Sequence, residues 1–278
     1  MIFEDRIRLA IACPDLAALN PVEGAGEVFE QDGERVQRLQ FGGLVTADTY
    51  YGAWMTELIS KCRGAHEPQE ERVFAAVLDA LSPKPTMIEL GGYWCFYSIW
   101  LGLQRPGASQ VIIEPIAERR AVGERNLALN NLAMPIRRAA IGAAPSMLPE
   151  FKTGAEIEKD MPVVTVDQLA DEMGWDSVDL LHADVQGFEW QMMHGAQRRL
   201  ASGDIRWVFI STHRWLEDGA KIDLHETCRA KLLEYGYTIV ADHTPEESYS
   251  TDGLIVARAP GVEGLEHVGI SRRAGDAS

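Results

Sequence analysis

The chain has 278 residues, 46% hydrophobic and 24% charged, the balance of an ordinary soluble globular protein that buries a full core without disulfide staples. Its formal net charge is −16, with a pI near 4.9. That balance argues against nucleic acid and anionic membrane surfaces as partners, because both select for a basic face, and it leaves open a small neutral or cationic substrate, or one screened by a local basic patch.

In chain order, residues 1–82 read as an N-terminal extension. Met1-Ile-Phe-Glu-Asp-Arg6 carries acids where a signal peptide would carry only basic residues, so a cytoplasmic location is expected. Ile7 to Leu19 suggests a short helix interrupted by Pro14, and the glycine-rich, acidic Val22 to Gly33 suggests a loop. Arg35 to Phe41 reads as a strand turned by Gly42-Gly43, and Tyr51 to Cys62 and Pro68 to Leu81 have helical periodicity. Residues 83–260 then alternate strand and helix. Strands are expected at 86–90, 110–114, 136–141, 178–183, 205–211, 237–242 and 253–258, and helices at 95–104, 116–131, 165–173, 188–201 and 222–235. This alternation implies an α/β fold with a mostly parallel sheet covered on both faces. The last two strands lack a helix between them, so they should form an antiparallel hairpin with a reversed strand at the end of the sheet. Residues 261–278 read as a mobile tail.

Four cysteines, Cys13, Cys62, Cys95 and Cys228, show neither a C-x-x-C pair nor zinc-ligand spacing, which suggests reduced thiols and no metal centre. No apolar run reaches the ~18 residues of a membrane span. The bulk properties leave a homo-oligomer open.

The chemistry gathers at the strand ends, where open α/β sheets bind ligands. Thr86-Met-Ile-Glu-Leu-Gly-Gly92 is an apolar strand running into paired glycines, and Val111-Ile-Ile-Glu-Pro115 is a second strand ending on a carboxylate. Glu114 lies 23 residues beyond Gly91, close to the ~20-residue spacing that places an acid on ribose hydroxyls. The turn continues Tyr93-Trp-Cys-Phe96, without the third glycine of a diphosphate loop and with aromatics crowding the helix start. A nucleoside without phosphates that carries an amino acid fits better, so S-adenosylmethionine is the expected cofactor. The expected contacts are Glu89, Gly91, Tyr97, Ser98, Glu114, Pro115 and Asp184.

Asp184 ends another strand before Gly187, where it faces either the cofactor or an acceptor hydroxyl or else caps a helix. Glu189 opens the next helix, a position that acids also take for the helix dipole alone. His213 ends the following strand and is the preferred general base, as an imidazole titrating near neutrality. Asp184, Glu189 and His213 are therefore the candidate catalytic residues. His182 shares a strand face with Asp184 and is expected to pack rather than react. His66, His194, His225 and His243 read as surface residues, and Asn126 and Asn130 as helix-terminal caps. Tyr50, Tyr51 and Trp54 are candidates for an acceptor pocket capped by the extension, as is Trp215, although each could equally pack a core.

The combined pattern resembles the FkbM family of S-adenosylmethionine-dependent methyltransferases. The matching segments are Ile88 to Ser98, Ile113-Glu-Pro115 leading to Asn126 and Asn130, Thr165-Val-Asp-Gln-Leu169, and Val178 to Glu189, which is similar to the family's DLLKIDVEGxE signature. The resemblance covers residues 65 to 257. It implies a Rossmann-like class I methyltransferase with a seven-stranded, mostly parallel sheet, an antiparallel last strand and an N-terminal extension. It also implies O-methylation of a small-molecule hydroxyl, often on a sugar or natural-product scaffold. Three departures stand out: His182 replaces the family's lysine, Gln186 a glutamate and Glu89 an aspartate. A non-catalytic S-adenosylmethionine-binding protein, motivated by Gln186 and His182, and a Rossmann oxidoreductase remain the alternatives.

Overall fold

The structure, a computed structural model, describes residues 3–213 and 223–273. Trp215 and the start of the helix expected at 222 lie outside the described residues. The chain opens with α1 (Phe3–Ala12) and a single 3-10 turn (Pro14–Ala18), since Pro14 cannot extend the first helix. Three short strands, β1 (Val28–Gln31), β2 (Glu34–Arg38) and β3 (Leu44–Thr46), form an antiparallel sheet. The segment expected to be a loop up to Gly33 therefore contains β1, which is paired to β2 by backbone bonds that its polar composition does not advertise. Helices α2 (Ala53–Lys61) and α3 (Pro68–Ala80) follow.

Strand β4 (Thr86–Leu90), helix α4 (Phe96–Gln104), β5 (Ser109–Ile113), α5 (Ala117–Leu129) and β6 (Ile136–Arg137) build half of the central sheet. The strand expected over 136–141 is split. Arg137 bonds to Glu172 and Arg138 to Glu158, and after this divergence β7 (Ala140–Ile141) joins a separate sheet with β8 (Ser146–Thr153) and β9 (Glu156–Val164). The β8–β9 hairpin is absent from the sequence reading because Pro149, Pro162 and many charges mask it; only Phe151, Met161 and Val163 turn fully inward. The second half runs α6 (Val166–Glu172), β10 (Val178–Asp184), α7 (Glu189–Gly195), α8 (Gln197–Ser202), β11 (Ile205–Thr212), α9 (Leu224–Glu234), β12 (Thr238–His243) and β13 (Gly253–Arg258). The single helix expected at 188–201 is broken at Gly195-Ala196, where a side chain on Gly195 would run into the carbonyl of Gly142.

The seven strands order β12-β13-β11-β10-β4-β5-β6, parallel except for β13, which runs antiparallel to both neighbours. The reversed strand is last in the chain but not at the sheet's edge; it is inserted between β11 and β12. Strand alternation divides the core. Met87, Ile112, Leu180 and Phe209 face α2, α3 and α4, whereas Ile88, Val111, Ile113, Leu181 and Val208 face α6 to α9. Among the described residues no helix is long and apolar enough to cross a membrane.

The extension shares the first of these cores. Asn126 and Asn130 do more than end a helix. One turn apart on α5, they hydrogen-bond the backbone of Thr46 (2.9 Å) and Leu44 (2.8 and 2.7 Å), holding β3 on the main domain. The segment expected to be a mobile tail is pinned through residue 273: the Val268 amide donates to Val240 (2.9 Å), and the Ser271 amide to Asp15 (2.9 Å), which also binds Arg72.

Candidate active site

Gly91 ends β4 with φ +80°, in the left-handed region, and a Cβ there would collide with the carbonyl of Asp184 at the tip of β10. The adjacent strand tips are thus held in backbone contact. One strand over, Glu114 is fixed by two amides: Tyr93 N–H donates to Oε2 (3.1 Å) and Ile116 N–H to Oε1 (2.9 Å). Burial raises its carboxyl above the usual range, while those amides and Arg119 oppose the shift. A carboxylate has about four acceptor positions, so two remain for ligand hydroxyls.

Three adjoining cavities open along these strand ends. The first, of 470 Å3, includes Glu114 and Pro115 and is walled mainly by Ile113, Ala139, Ile141, Phe151 and Phe188. The second, of 490 Å3, is more polar and contains Glu89, Gly91, Tyr97, His66, Glu67 and His182. The third, larger and open to solvent at 1330 Å3, lies against α1 and α2 through Phe3, Arg6, Trp54 and Met55, and also takes in Tyr51, His213 and Asp252. Asp184 and Gln186 line all three.

A nucleoside carrying an amino acid fits this donor set: a bare glycine turn, a ribose-height carboxylate, an apolar slot for a flat base and a polar end. A diphosphate does not. The one arginine lining the first two cavities, Arg119, is already spent on Glu156 and on the face of Tyr93, 4.8 Å away. Ser98 stands behind this lining, fully buried, with its hydroxyl given to Glu89. Burial pushes Glu89 up to about 8 against that bond. Tyr97 donates to Glu70 (3.2 Å).

Asp184, Glu189 and His213 converge. His213 Nδ1 lies 2.6 Å from Glu189 Oε1, and Nε2 lies 2.8 Å from Gln186 Nε2, 3.4 Å from Asp184 and 3.7 Å from Asp252. Burial alone would lower this imidazole, but Glu189, Asp252 and Asp184 outweigh it and push it to about 10. The histidine expected to titrate near neutrality is therefore raised, against burial, by the acids around it. Glu189 is fully buried and lines none of the three cavities; it acts on the site through His213. Gln186 also reaches Asp184 (2.9 Å). A glutamate at 186 would place a fourth acid around one ring, which gives this departure from the family pattern a physical basis.

His182 packs, as expected. Its ring lies 4.1 Å from Tyr97 and 5.3 Å from Phe209, without a hydrogen-bond partner, and burial lowers it to about 3. An uncharged ring suits that aromatic nest better than a lysine. Of the histidines expected at the surface, His194 is exposed, whereas His66, His225 and His243 are buried. His66 lies between Glu67 (3.1 Å) and Glu71 (2.9 Å). Burial opposes its charge, but the two acids raise it to about 10.

The family model for the methyltransferase FkbM domain matches residues 86–239, more than half of the chain. This chain belongs to the FkbM methyltransferase family. It is thereby a methyltransferase, and the family implies S-adenosylmethionine as the methyl donor. No curated protein matches it. Similar solved structures include a precorrin-6y C5,15-methyltransferase from Geobacter metallireducens GS-15 (14% identity, TM-score 0.42, 67% of this chain and 87% of that chain). Another is TrmK from M. capricolum with S-adenosyl-homocysteine (9% identity, TM-score 0.42, 71% of each chain). A third is a ribosomal protein L11 methylase from Lactobacillus delbrueckii subsp. bulgaricus (16% identity, TM-score 0.41, 70% of this chain and 80% of that chain). Among the contributors to the cavities that are missing from the sequence reading of this FkbM methyltransferase are Phe151, on the hairpin hidden by prolines, and Asp252, at the end of a polar loop with no motif around it.

Proposed function

We propose that this protein transfers a methyl group from S-adenosylmethionine to a hydroxyl oxygen of a small polyhydroxylated molecule, a sugar or natural-product scaffold. The observation that carries the reading is the shared position of Asp184 and Gln186, which border all three cavities and so mark where a cofactor in the first two would meet an acceptor in the third. A lining that combines the Tyr51 and Trp54 rings with the carboxylates of Glu67, Asp184 and Asp252 suits a sugar ring, whose faces are apolar and whose edges are hydroxylated.

In this reading Gly91, Glu114 and Pro115 hold the nucleoside, and Glu89 and Tyr97 border its amino-acid end. Bound there, S-adenosylmethionine would supply an electrophilic methyl group on its sulfonium, with the thioether as leaving group. Asp184 takes the acceptor's proton. His213, held by Glu189, orients Asp184 and keeps it ionised. Positioning supplies most of the acceleration, because the reacting atoms need only be held in line. The extension, residues 1–82, caps the acceptor room through α1 and α2.

The test has two stages. Calorimetric titration with S-adenosylhomocysteine should give binding, and incubation with methyl-labelled S-adenosylmethionine and a panel of sugars and polyhydroxylated scaffolds should give a labelled ether. Transfer confined to nitrogen or carbon acceptors would reject the O-methyl assignment, and absence of binding would reject the cofactor site.

A further inference from the structure

Asp252 ends the polar loop between β12 and β13 and reaches the outer chamber beside Asp184. Its carboxylate accepts no hydrogen bond among the described residues. Its partner is the Nε2 edge of His213 at 3.7 Å, and that ring already serves Glu189 at 2.6 Å and Asp184 at 3.4 Å. One ring is thus shared by three carboxylates.

Other described groups face Asp252 from the neighbouring elements. Arg6 of α1 is the second cation within reach, but it donates to Thr251 and also faces Glu67, an added anion. Tyr51 contributes a neutral phenol, which burial raises beyond the range where it ionises. Arg273 borders the same chamber but donates to the Glu246 carbonyl. Burial, with Asp184 and Glu67, accordingly lifts Asp252 to about 6 despite His213 and Arg6. Among the described residues, His213 is thus the one cation within salt-bridge distance of Asp252, at the place where a methyl would cross between chambers.

The donor and its product differ in one charge. S-adenosylmethionine carries a sulfonium, and S-adenosylhomocysteine a neutral thioether of nearly the same shape. We propose that Asp252 makes this site favour the charged donor over its neutral product, so that the loss of charge during transfer promotes product release. This inference rests on the cofactor reading above.

The experiment is calorimetry of the full chain with S-adenosylmethionine and with S-adenosylhomocysteine, at about pH 5 and about pH 7. A cation beside Asp252 draws its pKa back toward the ordinary carboxylate value, so binding the charged ligand should release a proton near pH 6, and binding the product should not. The affinity ratio of donor to product should rise about tenfold between the two pH values, as expected for a shift of one to two units. In Asp252→Asn most of that rise should vanish while the product's affinity at about pH 7 stays near wild type, which also reports a folded site. Asp252→Glu should restore the rise. A pH-independent ratio in the wild type, or an unchanged rise in Asp252→Asn, would overturn the role of Asp252. Failure of both ligands to bind the wild type would overturn the cofactor reading itself, and this inference with it.

Discussion

Glu189 and His213 are joined through Oε1 and Nδ1 at 2.6 Å, both buried, the acid at the start of α7 and the base at the end of β11. A charge-assisted bond of this kind contributes about 1.5–3 kcal/mol. Glu189→Gln should therefore lower the His213 pKa from about 10 by one to two units, measured by NMR of the imidazole. An unchanged titration would show that Asp184 and Asp252 alone hold the proton.

The two raised histidines set a pH dependence of stability. His66 and His213 sit near 10 when folded, against about 6.5 unfolded. The folded state binds the extra protons, so their stabilising contribution is complete below about 6.5 and is lost as pH rises through 10. The urea midpoint should fall between about pH 7 and pH 10, and His66→Gln should flatten part of that fall.

Glu114→Ala should weaken S-adenosylhomocysteine binding roughly ten- to a hundredfold, through loss of charge-assisted bonds to ribose. The Tyr93 and Ile116 amides also lose their acceptor. Circular dichroism must therefore show a native spectrum before the affinity is interpreted. Native fold with full affinity would remove the assignment.

Gly91→Ala places a methyl against the Asp184 carbonyl at φ +80°. Backbone strain of about 1–3 kcal/mol is expected before the clash is counted. Melting temperature should drop, and cofactor affinity should fall further than stability, because the strand tips that separate define the cleft. A variant with wild-type affinity would mean that the Gly91–Asp184 approach has no role in binding.

Trp54→Ala should raise the KM for the acceptor while leaving S-adenosylhomocysteine affinity near wild type, because Trp54 borders only the outer chamber of the three. Tyr51→Ala should weaken both, since Tyr51 borders the second cavity as well. Equal loss of both affinities in Trp54→Ala would place that ring in general packing instead.

The parts of the site legible in the sequence are those where strand geometry dictates position. A short apolar strand must end somewhere, and the residues at its end, Gly91, Glu114, Asp184 and His213, must lie on one edge of a parallel sheet. The family pattern extended this to Glu189. Contacts made by residues with no periodicity of their own were not legible. Asp252 reaches His213 only because β13 inserts beside β11, and Phe151 enters the first cavity from a hairpin whose prolines conceal it. His66 preceded a helix as any polar residue does; its burial depends on Glu71, a turn into α3. The upward shift of His213 was not legible for a related reason: all three acids around its ring come from other elements, and Asp252 carries no motif.

Phe3 and Arg6 border the same outer chamber as Arg273. The room beside Asp184 therefore takes its walls from opposite ends of the sequence, and the Ser271–Asp15 bond fastens those ends nearby. During synthesis the strands carrying Gly91, Glu114 and Asp184 emerge long before residue 273, whereas the outer chamber gains its last wall only when that residue is free of the ribosome. The order of manufacture thus places the strand-tip cleft first and the outer chamber last.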